Sequence, residues 1–352
     1  MPVAYMPHGR GQNVVQHAAP PPRERHVSMG HFDLPLDQLR AYRPAISEPD
    51  DFDAFWQKTL TETRAHDPAV TFAPYETPLT GVRTWDVTFA GFGGHPVKGW
   101  FTAPADATGP LPLVVQYHGY GGGRGLPHTW GLWPLAGYAH FVMDVRGQGS
   151  GGDLGHTPDP VGSGPSSPGF MTRGVEDPET YFYRRVHADA VRGLEAARTH
   201  ELADPARTVV LGGSQGGGIS LAVGALVPGL AATCVDVPFL CHFERALSIA
   251  ETGPFPELVR YLRMHRGAEE NVLRTLSYFD GAAFAARATA PALFSVALMD
   301  TTCPPSTVFA AYNAYAGTDK RIEIYPYNTH EGGGVHQEAV QLDWVRKMLS
   351  TT

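Results

Sequence analysis

The chain has 352 residues, 43% of them hydrophobic and 18% charged, with 27 Lys and Arg against 35 Asp and Glu. That is enough apolar material for one large core, and a formal charge of -8 without a basic cluster interleaved with aromatics excludes nucleic acid as an expected partner. No apolar run approaches the roughly 18 residues of a membrane span, and Cys234, Cys241 and Cys303 read as free thiols of a cytoplasmic protein rather than a disulfide frame.

Residues 1–28 carry Arg10, Arg23, Arg25 and three consecutive prolines but no signal-peptide core, so they are expected to be a disordered leader. Residues 29–352 are then expected to form a single catalytic domain. Acidic residues followed by apolar ones at helical spacing predict an N-terminal helical extension over 50–60. Period-two alternation over 85–89 and 97–101, on either side of Gly93-Gly94, predicts two antiparallel strands. Short apolar runs then recur at 113–117, 139–143, 208–211, 233–236, 293–298 and 321–325, separated by helical stretches. This pattern predicts an α/β fold with a mostly parallel central sheet flanked by helices. Residues 146–180, dense in Gly, Pro and Ser, are either a functional loop near a site or a mobile one. Residues 237–285 read as a helical insertion with Phe243, Leu247, Leu258, Tyr261 and Leu262 as apolar positions, serving as a lid or a partner surface.

After the strand at 207–211 comes Gly212-Gly213-Ser214-Gln215-Gly216-Gly217, which reads as a nucleophile elbow. Side chains at 212 and 216 would collide across so tight a turn, while the serine hydroxyl is pushed outward. The bland alternative is a Gly-rich or phosphate-cradling turn, but no Lys-Ser/Thr pair follows. A serine hydroxyl needs a base and a third group that fixes the base's tautomer. In the order serine, acid, histidine, Asp300 ends the strand at 293–299 and His330 follows the strand at 321–325. Taken singly, Asp300 reads equally well as a helix N-cap and His330 as one of 16 histidines; their order after Ser214 joins them. Asp236 is the rival acid. The backbone N–H groups of Gln215 and Tyr120, the latter on the glycine-rich loop 118–123, are the expected oxyanion donors. His330-Glu331 opens like a zinc H-E-x-x-H motif, but three glycines intervene before His336, so no metal is expected. Tyr120, Trp130 and Trp133 are read as core aromatics rather than as sugar-stacking platforms.

Three motifs taken together, Arg146-Gly147-Gln148, Gly213-Ser214-Gln215-Gly216 and His330-Glu331, resemble the acetyl xylan esterase/cephalosporin-C deacetylase group, the seventh carbohydrate esterase family of the α/β-hydrolases. The resemblance runs from residue 32 to the C-terminus and includes 142–149 and 303–308. It implies an α/β-hydrolase fold with Ser214 as nucleophile, Asp300 as acid, His330 as base and the Tyr120 and Gln215 amides as oxyanion donors. Arg146 and Gln148 would brace the site, with Glu331 as further support beside the base. It further implies removal of acetyl groups from small xylo-oligosaccharides and cephalosporin C through an acetyl-enzyme, without a cofactor, in intracellular hexamers. Thr302 is a polar residue where an apolar one would more simply line an acyl pocket, a difference that bears on acyl preference. The rivals are a broader carboxylesterase or an aminoacyl peptidase on the same scaffold, and a non-catalytic binding protein, which the complete serine, acid and histidine set disfavours.

Overall fold

The computed structural model describes residues 32–161 and 168–350; the expected leader lies outside them. Among the described residues nine strands pair into one sheet: β1 (Thr71–Pro74), β2 (Val82–Ala90), β3 (Pro96–Pro104), β4 (Leu111–Tyr117), β5 (Ala139–Met143), β6 (Ala203–Gly213), β7 (Ala232–Asp236), β8 (Ala292–Ala297) and β9 (Lys320–Tyr325). Their spatial order is β1-β2-β3-β5-β4-β6-β7-β8-β9. The β1–β2, β2–β3 and β3–β5 pairs are antiparallel, and every pair from β5 to β9 is parallel.

Parallel strands must be covered on both faces, and alternate residues of the central strands supply the two covers. Leu113, Val115 and Val210 belong to the main core, which includes Val186 of the helix Phe182–Ala197 and Ile219 of the helix Gln215–Leu226. Their neighbours Val114, Val209 and Leu211 turn the other way and pack with Trp133, Trp344 and Val345. The expected helix at 50–60 is Phe52–Arg64, which buries Phe52, Phe55, Trp56, Thr59, Leu60 and Thr63 along one face. The Trp56 indole N–H donates to the Tyr278 carbonyl at 2.9 Å, joining this extension to the segment before β8. The expected hairpin is present as β2 and β3, longer than the alternation implied, and Gly93 (φ 68°) and Gly94 (φ 72°) turn it. β1 carries no apolar alternation and was not expected; it adds at the sheet edge with three of its four residues exposed.

Between β7 and β8 the segment is helical, as its composition suggested: Phe243–Ile249, Phe255–Met264, Glu269–Ser277 and Gly281–Ala285. Phe243, Leu258 and Tyr261 are buried, while Leu247 and Leu262 are partly buried against the same core. Asp280 accepts from the amides of His242, Phe243 and Ala282, so one buried carboxylate ties both ends of this segment together. Because β4 to β9 run in one direction, the residues that follow them meet at a single edge of the sheet. Loop 118–123, Ser214, Asp300 and His330 all follow such strands.

Candidate active site

Ser214 occupies φ 56°, ψ -120° between β6 and the helix Gln215–Leu226. A non-glycine residue there is strained, and its surroundings must over-determine it. A Cβ on Gly212 would lie 2.4 Å from the Gly216 backbone, and one on Gly216 would lie 2.0 Å from the Tyr117 carbonyl oxygen. The Ser214 amide donates to the Asp236 carbonyl at 2.9 Å, and the Ser214 carbonyl accepts from Gly218 and Phe239. The turn is therefore pinned to β4, β7 and its own helix.

The Ser214 hydroxyl lies 2.9 Å from His330 Nε2, and His330 Nδ1 lies 2.8 Å from Asp300 Oδ2. The other Asp300 oxygen accepts from the amides of Thr302 and Cys303 at 2.8 and 2.9 Å, and the residue is fully buried. An ionised carboxylate only accepts, so the imidazole proton sits on Nδ1 and Nε2 is left to accept from the serine. Asp236, the rival acid, is directed elsewhere: its oxygens accept from Gln337 and Gln341 on the helix Gly334–Ser350, and burial pushes its pKa up to about 7. The buried Cys303 thiol lies beside Asp300 and His330, and burial pushes it well up, so it remains an uncharged neighbour of the relay. Asp300, Cys303 and His330 bring one metal-type ligand atom each within 4.8 Å of one another, but the Asp300 oxygens are already committed to two amides and the imidazole.

The Glu331 carboxylate folds back to accept from the Asn328 side chain and from the Thr329 amide and hydroxyl, which hold its pKa below the usual range. It stiffens the loop that carries His330. Gly332, Gly333 and Gly334 all have positive φ, so His330 and His336 do not share a helix.

Among the described residues, neither the Tyr120 nor the Gln215 amide has a hydrogen-bond acceptor. Both N–H groups are left unengaged. Gln215 is buried and exchanges amide hydrogen bonds with Gln148, at 2.9 and 3.1 Å, while Gln148 Oε1 also accepts from the Gly121 amide at 2.9 Å. Gln148 thus couples the two donor segments. His118 holds the same loop as a neutral ring, with Nε2 accepting from the Val145 amide at 3.0 Å and Nδ1 paired with the Gly119 carbonyl; burial lowers its pKa. Arg146 differs from Gln148. Its guanidinium grips Asp189 at 2.5 and 2.7 Å, and so fastens the segment after β5 to the helix Phe182–Ala197 rather than to the relay.

A cavity of about 660 Å³ opens over Ser214 and His330. Tyr120 lines it, whereas Trp133 is buried against Tyr138 and the Trp130 indole donates to the Arg124 carbonyl; neither tryptophan reaches this cavity. Asp236, Glu257, Glu331 and Glu338 contribute to the wall, and among the described residues no Lys or Arg does.

The family model for acetyl xylan esterase (AXE1) matches residues 29–348. The chain belongs to the acetyl xylan esterase family. It is therefore a carboxylic ester hydrolase with the α/β-hydrolase fold. An acetyl xylan esterase from Paenibacillus sp. R4 superposes with a TM-score of 0.84 at 39% identity, over 89% of this chain and 99% of that one. Acetyl xylan esterase 1 from Thermoanaerobacterium sp. JW/SL YS485 gives 0.82 at 32% identity, over 90% and 99%. Acetyl esterase Axe7A of Xylanibacter ruminicola is 25% identical over 316 residues, 87% of this chain and 69% of that protein.

In this esterase the Thr302 hydroxyl is engaged by Thr252 at 2.8 Å, and its methyl group faces Gly253, where a Cβ would come within 2.4 Å. The threonine therefore shows the pocket less polarity than its type suggests. One pocket residue carries no sequence signal: Glu257, which no motif marks. The long segment at 146–180 does reach the site, through Gln148 and through the Phe170 and Met171 amides on Tyr120 and Glu257.

Proposed function

We propose that the enzyme removes acetyl groups from small acetylated carbohydrates, xylo-oligosaccharides foremost, through an acetyl-enzyme on Ser214. The observation that carries this reading is the continuous relay from Asp300 through His330 to Ser214 beneath an open cavity. As Ser214 Oγ attacks the acetyl carbonyl, its proton passes to His330 Nε2, and the imidazolium is stabilised by Asp300. The tetrahedral oxyanion accepts from the Tyr120 and Gln215 amides. Collapse breaks the ester bond, and His330 returns the proton to the departing sugar oxygen. Water then attacks the acetyl-serine with His330 again as base, releasing acetate and restoring the hydroxyl.

Relatives named acetyl xylan esterase and acetyl esterase support the acyl group and the substrate class. A wall that, among the described residues, holds four carboxyl groups and no Lys or Arg favours neutral sugars. Cephalosporin C, an anion, belongs to the same reading as a slower substrate. The cytoplasm and a homo-hexamer complete it; a monomeric mass of 38.0 kDa by light scattering would overturn the hexamer.

The test is acetate release from acetylated xylo-oligosaccharides and cephalosporin C, with Ser214→Ala as control and fluorophosphonate labelling of Ser214. Turnover should fall at least about 10⁴-fold in the variant. Preference for butyrate or octanoate esters would instead make this a broader carboxylesterase, and cleavage of aminoacyl anilides a peptidase.

A further inference from the structure

Glu257 stands in the first turn of the helix Phe255–Met264, on the wall of the cavity that contains Ser214, and is only 7% exposed. The chain wraps it closely: Gly169 has φ +117°, and a Cβ there would come within 2.1 Å of the carboxylate. The Tyr120 hydroxyl donates to it at 2.8 Å from both oxygens, and the Met171 amide donates to Oε2 at 3.1 Å. Tyr120 is in turn fixed by accepting from the Phe170 amide at 2.5 Å. The carboxylate is thus held rigidly, from two segments, at the pocket surface.

A carboxylate offers about four acceptor positions, and among the described residues the hydrogen bonds from the Tyr120 hydroxyl and the Met171 amide do not fill them. Burial raises the Glu257 pKa, which marks a group short of donors for its charged form. Among the described residues no Lys or Arg lines the wall, and Arg260, one turn along the same helix, offsets the charge only in part. What the pocket provides is therefore an acceptor waiting for a neutral donor carried by the substrate. An alkyl or aryl acetate has no such donor, whereas a partly acetylated sugar has a hydroxyl on the carbon beside the ester.

We propose that Glu257 is a specificity-determining residue whose carboxylate accepts a hydrogen bond from a free hydroxyl neighbouring the acetylated one. The enzyme thereby selects partly acetylated polyols over simple acetates. This inference rests on the acetyl-carbohydrate reading above.

The experiment compares kcat/KM for methyl 3-O-acetyl-β-xyloside with that for its 2-deoxy and 4-deoxy analogues, in the wild type and in Glu257→Gln. The glutamine keeps an acceptor for Tyr120 while removing the charge. The wild type should prefer the parent over at least one analogue by at least about tenfold, and the variant should reduce that ratio to about one. Equal use of all three substrates by the wild type would overturn the proposal, and so would a ratio unchanged in the variant. Should Glu257→Gln fail to fold, Glu257→Asp takes its place with the same substrates; it withdraws the carboxylate by one methylene, so the ratio should again drop to about one, and an unchanged ratio would again overturn the proposal. A wild type that cleaves p-nitrophenyl acetate but none of the xylosides would overturn both this proposal and the carbohydrate reading. A wild type that cleaves the parent without discriminating removes only the role of Glu257.

Discussion

Two glycines and a serine carry opposite burdens in one turn. Ser214 bears the unfavourable backbone angles, and Gly212 and Gly216 provide the space that lets it do so. Gly213 differs, since the nearest atom to a Cβ there is 3.9 Å away. Gly216→Ala should therefore cost about 3 kcal/mol, because the atom in its way is a backbone carbonyl, while Gly213→Ala should stay within about 1 kcal/mol. Denaturant unfolding of the two variants checks this, and equal losses would contradict it. His187 gives a second residue-scale prediction. It is fully buried among Trp56, Tyr183, Phe279 and Phe284, and neither ring nitrogen has a hydrogen-bond partner among the described residues. Replacing it with phenylalanine keeps the shape and removes two unsatisfied groups, so His187→Phe should stabilise the fold by about 1 kcal/mol in thermal unfolding. Ser214, Asp300 and His330 were legible in the sequence because parallel strands deliver their C-terminal ends to one edge, which turns chain order into spatial order. Glu257 was not legible, because it comes from a helix whose position depends on how the whole segment between β7 and β8 packs.

At the scale of elements, strands buried on both faces announced themselves as unbroken apolar runs, and the hairpin announced itself by alternation. β1 could not, since one edge neighbour and three exposed residues impose almost no pattern on its four side chains. The segment after β5 was legible only as long and irregular, and what fixes it is electrostatic. Asp144 is fully buried and accepts from the amides of Arg124, His156 and Thr157. Arg146 is bound to Asp189, and Asp159, within 3.5 Å of Arg146, also pairs with Arg185 at 2.8 Å. Breaking such a buried pair from one side leaves an uncompensated charge. Arg146→Met should therefore destabilise by about 3 to 5 kcal/mol, and the double variant Arg146→Met, Asp189→Asn should recover at least about 1 kcal/mol of that loss. Urea unfolding of the wild type, the single variant and the double variant measures the difference. No recovery would mean that the pair acts through packing alone.

For the whole molecule, buried titratable groups set how stability follows pH. Burial pushes His140 and His187 down to about 3 and His200 to about 4, while Asp236 rises to about 7 and Asp280 to about 6. Below about pH 6.5 the unfolded chain takes up protons that these histidines refuse in the native state, so their contribution is lost as pH falls toward 3 to 4. The two aspartates act in the other direction: the native state keeps protons that the unfolded chain has shed, and stability is lost as pH rises from about 4 through 6 to 7. Between about pH 4 and 7 the three histidines oppose the two aspartates and prevail; above about pH 7 both contributions fade together. Thermal stability should therefore rise from about pH 4 to about 7 and then level off, and calorimetry from about pH 4 to 8 tests this. A Tm that climbs steadily into acid would contradict it. The assembly of the relay has a consequence during synthesis. The serine precedes its histidine by 116 residues, so a ribosome adding roughly 5–20 residues per second exposes the elbow for roughly ten seconds before the imidazole has been made. Through that interval the nascent polypeptide holds the serine without the base that activates it, and hydrolysis begins only once translation has supplied the far edge of the sheet.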